Sequence, residues 1–158
     1  WSNEIYQKCG FKMLFSNINQ YIKIDDKIFT EKINRNRRRM ISNEKCSEFQ
    51  FRQLPNERLT EIYEVIKTNR TQKGYELSMS LNEISKDISS FPDRYYMFGV
   101  IYKKQLIAGA ICVKVTSSVI YDFYHGEIPE YVGLSPVTKL MEGIYNFGKQ
   151  NGFKILKY

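Results

Sequence analysis

The chain has 158 residues, a length that points to one domain, and its hydrophobic share of 42% and aromatic share of 15% exclude a disordered tail. A formal charge of +7 directs attention to acidic partners such as nucleotides, phosphorylated sugars, RNA or an anionic membrane surface. Cys9, Cys46 and Cys112 are far apart and form no CxxC, which argues against a disulfide framework or a zinc site and for a reducing, cytoplasmic setting. No apolar run approaches the about eighteen residues of a membrane span, and no charged-then-apolar leader is present.

In chain order, Trp1 to Phe15 begins with a helical turn followed by GFKMLF, and Tyr21 to Ile24 reads as a short strand. Phe29 to Ile41, FTEKINRNRRRMI, predicts one helix with Phe29, Ile33 and Met40 on its inner side and Lys32, Arg35, Arg37, Arg38 and Arg39 around the rest. Arg37 and Arg39 are the candidates there for holding an anionic substrate, a solvated basic face being the plainer alternative. EFQFRQL then alternates as a strand, and Pro55 ends it.

Leu59, Ile62, Tyr63 and Ile66 fall at i, i+3, i+4, i+7 and predict an amphipathic helix over 56–69. Ser80 to Glu83 has the form of a capping box ahead of Ile84 and Ile88, so a shorter helix follows and stops before Pro92. Three strands come next, 95–102, 105–115 and 119–126, the first two joined by Lys103 and Lys104 in a hairpin-length turn that lacks the favoured glycine. They are expected to form an antiparallel meander. A strand over 153–158 follows a helix, and so should run parallel to 119–126.

The segment from Val119 to Gly152, VIYDFYHGEIPEYVGLSPVTKLMEGIYNFGKQNG, concentrates the functional signal. Ser135 is a good N-cap, Pro136 suits the first helical position, and Val137, Leu140, Met141, Ile144 and Gly148 give helical spacing up to a stop at Gly152. The free N–H groups of such a first turn, with Gly133 just before it, suit a phosphate or pyrophosphate; a capped core helix is the alternative. His125 is the only histidine, and its ordinary pKa of about 6.5 suits a base or proton relay. Simple alternation places Tyr121, Phe123 and His125 on one face of the strand and Ile120, Asp122 and Tyr124 on the other. Glu127 is a second candidate base or a solvated loop residue. No GxGxxG, GxxxxGK[ST], HExxH or GxSxG occurs.

The element order β, α, α, β, β, β, α, β from Glu48 onward resembles the GCN5-related N-acetyltransferase (GNAT) fold. It is an α/β fold with a mixed, mostly antiparallel sheet flanked by helices. In that family the loop before the helix follows Gln/Arg-x-x-Gly-x-Gly/Ala, and here it reads Glu130-Tyr131-Val132-Gly133-Leu134-Ser135. Glu130 departs from the pattern, since a carboxylate beside a pyrophosphate is repulsive. KINRNRRRMI, YDFYHGE, the Ser-Pro helix start and YNFGKQNGFKIL are similar to the Fem-type branch, which carries two such domains in tandem and transfers acyl or aminoacyl groups to amines.

The resemblance implies that residues 1–44 are the end of a preceding GNAT-like domain plus a basic connector, and that 45–158 are a GNAT-like domain lacking its C-terminal elements. The family's general-acid tyrosine would lie past Tyr158. It also implies N-acyl transfer from acetyl-CoA or another acyl-CoA, without a metal, to a small-molecule amine such as an amino sugar or cell-envelope precursor. The cofactor would be held by Gly126, Gly133, Leu134, Ser135, Pro136, Val137 and Thr138. Catalysis would fall to His125, Asp122 and Tyr124, and substrate contact to Arg37, Arg39 and Tyr121. Two alternatives stand beside this one: a charged tRNA as aminoacyl donor, and a noncatalytic module that docks RNA or a phosphorylated precursor.

Overall fold

The computed structural model describes residues 3–13 and 19–158. Leu14 and Phe15 of the GFKMLF segment lie outside them, as do Trp1 and Ser2. The sheet has six strands: β1 (Tyr21–Lys23), β2 (Gln50–Leu54), β3 (Tyr95–Tyr102), β4 (Gln105–Lys114), β5 (Val119–Glu127) and β6 (Ile155–Lys157), in the spatial order β1-β6-β5-β4-β3-β2. The strands from β2 to β5 pair antiparallel, and β6 lies parallel to β5, as the helical crossover requires. β1 adds an antiparallel edge to β6, a pairing that the sequence did not announce because three residues carry little periodicity.

A short helix, α1 (Asn3–Lys8), opens the described chain, and helices cover both faces of the sheet. α5 (Leu59–Gln72) and α6 (Leu81–Ser90) pack Ile62, Ile66, Ile84 and Ile88 onto Met97, Leu106 and Ile111 of the sheet. The expected capping box starts α6: Ser80 Oγ accepts from the Glu83 N–H at 3.3 Å, and the Glu83 carboxylate accepts from the Ser80 N–H at 2.7 Å. α7 (Pro136–Gln150) covers the other face with Leu140, Ile144 and Tyr145, and ends where Gly152 takes φ +77°.

The basic segment is not one helix. α2 (Phe29–Lys32) stops at Ile33, and α3 (Arg35–Ile41) begins afresh because the Asn34 side chain accepts from the Arg37 N–H at 3.0 Å and caps it. Ile33 and Ile41 pack onto the core, while Met40 is half-buried. A further turn, α4 (Glu44–Ser47), buries Cys46. The segment is tied to α7 by Tyr145, whose ring meets Phe29 and whose hydroxyl donates to the Lys27 carbonyl at 2.9 Å.

Two local features shape the site. Phe123 is an extra residue in β5: Asp122 pairs with Cys112 and Tyr124 with the adjacent Ile111, so the ladder skips Phe123 as a β-bulge. β6 pairs only with Val119, Ile120 and Tyr121, so β5 from Asp122 onward has no partner on that edge among the described residues.

Candidate active site

The bulge corrects the facing inferred from simple alternation. Because β5 spends one extra residue at Phe123, the pleat advances by one, and Asp122 and His125 fall on the same α7-side face opposite Cys112 and Ala110. There Asp122 Oδ2 and His125 Nδ1 are 2.6 Å apart. The Asp122 carboxylate is wholly buried and its Oδ1 has no partner among the described residues, whereas the His125 ring is 35% exposed. Nδ1 is thus committed to the carboxylate, and Nε2 is left as the ring nitrogen available to a ligand. Burial alone pushes the imidazole pKa down, but the hydrogen bond and charge of Asp122 outweigh it and hold the pKa above its ordinary value. Arg70 and Lys73 oppose that rise.

His125 forms one wall of a cavity of about 270 Å³ whose other walls are Ile22, Phe29, Arg37, Val137, Thr138, Met141 and Tyr158. Arg37 reaches it from α3, its Nη1 donating to Ser135 Oγ at 2.7 Å and Thr138 Oγ1 at 3.2 Å. Arg39 is exposed and does not line the cavity. Phe29, Ile22 and Met141 escaped sequence reasoning as site residues because only the tertiary fold brings them to His125.

Tyr124 and Tyr121 do not belong to this chamber. Tyr124 sits on the α5 side, where its hydroxyl bonds Ser78 Oγ and accepts from the Met79 N–H at 3.1 Å. Tyr121 also points away from α7, its ring meeting Phe123 and the Lys157 ammonium. Gly126 faces α5 too. A Cβ there would lie 2.7 Å from Ile66 Cα, so glycine is required by the close approach of a helix.

The expected phosphate cradle is not formed by the backbone before α7. Pro129–Leu134 coil into a 3₁₀-helix, with the Tyr131 N–H bonded to the Ile128 carbonyl at 3.0 Å and the Ser135 N–H to the Val132 carbonyl at 2.9 Å. Ser135 is left-handed (φ 50°, ψ 55°), and its side chain caps nothing. Pro136 has no N–H, the Thr138 N–H bonds the Ser135 carbonyl at 2.9 Å, and the Val137 N–H bonds Glu127 Oε2 at 3.2 Å. Glu127 is therefore not a solvated loop residue; its Oε2 accepts from the first turn of α7, at the positive end of that helix. Its carbonyl is held in turn by the buried Asn69 amide at 3.0 Å. As they stand, these residues do not fit the pyrophosphate of coenzyme A, whose charge would meet Glu127 where N–H donors were expected.

No family model matches the sequence, and no curated protein matches it. Solved structures do match, and the likeness is one of fold: the chain has the GNAT fold. FemX superposes with a TM-score of 0.78 at 10% identity, over 89% of this chain and 52% of FemX. A predicted acetyltransferase from Clostridium acetobutylicum, solved with acetyl-CoA, gives 0.56 at 12% identity, over 68% of this chain and 78% of that one. A GNAT family acetyltransferase from Staphylococcus aureus gives 0.50 at 14% identity, over 68% of this chain and 82% of that one. The chain spans about half the length of FemX. Among the described residues no helix is long and apolar enough to cross a membrane.

Proposed function

We propose that the chain is part of an N-acyltransferase in which His125 takes the proton of an acceptor amine and Asp122 holds the imidazole for that task. The observation that carries this reading is the buried Asp122–His125 pair at the point where β5 parts from β6, opening onto a cavity. An amine attacks an activated acyl carbonyl only when neutral, so a new C–N bond forms as the ester or thioester bond breaks and a proton must leave the nitrogen. Nε2 accepts that proton, while the electron pair of the broken bond leaves on the donor's sulfur or ribose oxygen, to which the imidazolium then returns the proton. Nδ1–H stays on Asp122, whose carboxylate stabilises the imidazolium that results.

The donor divides into two readings. Acyl-coenzyme A is supported by the acetyl-CoA bound to the similar Clostridium protein, and it would require Glu127 to release the Val137 N–H. A charged tRNA is favoured by the exposed Arg35, Arg38 and Arg39 on α3, which offer phosphate contacts without using the start of α7. Incubation of the purified protein with an amine panel and each donor in turn separates them. Acylation by one donor is expected, and His125→Ala should lower kcat by about 100-fold with the fold intact. Full activity in that variant, or no acylation from either donor, would remove the reading.

A further inference from the structure

The chamber beside His125 holds a second group that proton transfer does not use. Of the five N–H donors of the Arg37 guanidinium, those of Nη1 meet Ser135 Oγ and Thr138 Oγ1, and no carboxylate lies within 4.0 Å among the described residues. The two hydroxyls are themselves 2.7 Å apart and both are buried. One of their protons fills the bond between them; the other has no acceptor among the described residues. The cluster is thus rich in donors, poor in acceptors and positively charged, and no carboxylate pairs with it among the described residues.

Around it the walls are apolar: Ile22, Phe29, Val137 and Met141. The volume, about 270 Å³, is below the roughly 300–1,000 Å³ of sites for drug-sized ligands, so the chamber suits the end of a molecule. Among the described residues that line it, Arg37 is the one permanent cation, because His125 must be neutral to act as a base. With the buried Asp122 carboxylate behind the neutral ring opposing further negative charge, one such cation suits a monoanionic carboxylate better than a phosphate dianion. The planar guanidinium fork suits a carboxylate in shape as well.

We infer that this chamber binds the carboxylate of an amino-acid-like acceptor, seated on Arg37 and the Ser135 and Thr138 hydroxyls with an apolar spacer against Phe29 and Met141. The inference deepens the acyl-transfer reading by naming the acceptor class. It rests on that reading only for the placement of the amine at His125.

His125 is the only histidine, so its ring signals in an NMR spectrum of the intact chain report occupancy without ambiguity. The probes are 6-aminohexanoate, hexanoate, hexylamine and inorganic phosphate. Saturable shifts are expected with the first two, and binding at least about ten-fold weaker with hexylamine, which lacks the carboxylate. Arg37→Gln should weaken 6-aminohexanoate by about ten-fold while the amide spectrum stays native. Should that variant misfold, Arg37→Lys, which keeps the charge without the fork, should also lose affinity for 6-aminohexanoate. Equal binding of hexylamine, unchanged affinity in the folded Arg37 variant, or phosphate binding tighter than hexanoate would overturn the inference. Carboxylate binding with no acylation of any amine would defeat the transfer reading and leave the subsite standing. Acylation of hexylamine and 6-aminohexanoate with equal kcat/KM would do the opposite.

Discussion

Asp122 and His125 are three residues apart in a strand, a spacing that ordinarily sends side chains to opposite faces. They meet because Phe123 is an extra residue in the ladder, and the consequence is electrostatic. With the folded pKa of His125 held above its ordinary value, the unfolded chain binds this proton less tightly than the folded one. The resulting stabilisation is fully present below about pH 6.5 and is lost as pH rises through the folded pKa. Asp122→Asn removes the group that raises the pKa and leaves burial, Arg70 and Lys73, which all lower it. An NMR titration of His125 should therefore show a midpoint above 6.5 in the native chain and below it in the variant. The stability lost in the variant, read by urea unfolding, should be larger at low pH than at high pH. An unmoved midpoint would mean that the carboxylate does not govern this ring.

At the scale of elements, the turn between β3 and β4 offers a separate test. Lys103 and Lys104 both take positive φ, 47° and 66°, as a two-residue type I′ hairpin demands, yet neither residue favours that region. Lys103→Asn with Lys104→Gly supplies residues suited to it and should raise stability by about 1 kcal/mol, seen as a higher urea midpoint at unchanged slope. The hairpin itself was legible in the sequence from its length and flanking strands, as were α5, α6, α7 and the parallel placement of β6, because each rests on local periodicity or on the handed logic of a crossover. What sequence could not deliver depends on tertiary contact. The bulge at Phe123 leaves no periodic trace in nine residues. The filling of the start of α7 by Glu127 requires β5 and α7 to be placed side by side. The break between α2 and α3 is a different case: Asn34 followed by Arg35 was a readable N-cap signal, masked by the continuous run of basic residues. Arg37 was legible as a candidate by charge alone, but its meeting with Ser135 and Thr138 spans about a hundred residues of chain, |i−j| being 98 and 101.

For the molecule as a whole, the two helical layers divide the work. The α5–α6 side buries Tyr124 and takes up Gly126 against a helix backbone, fixing β5 from behind. The α7 side, closed by α2 and α3, carries every polar group that the proposed chemistry needs: Asp122, His125, Arg37, Ser135 and Thr138. In the proposed chemistry His125, set by Asp122, accepts the proton in amine acylation. The most direct test is the dependence of kcat on pH for acylation of one amine by the native protein and by Asp122→Asn, because the titration of the acceptor is common to both. The kcat of the native protein should rise through a midpoint above about 6.5, and the midpoint of the variant should fall as that of its ring falls. Identical pH profiles for the two proteins would contradict it.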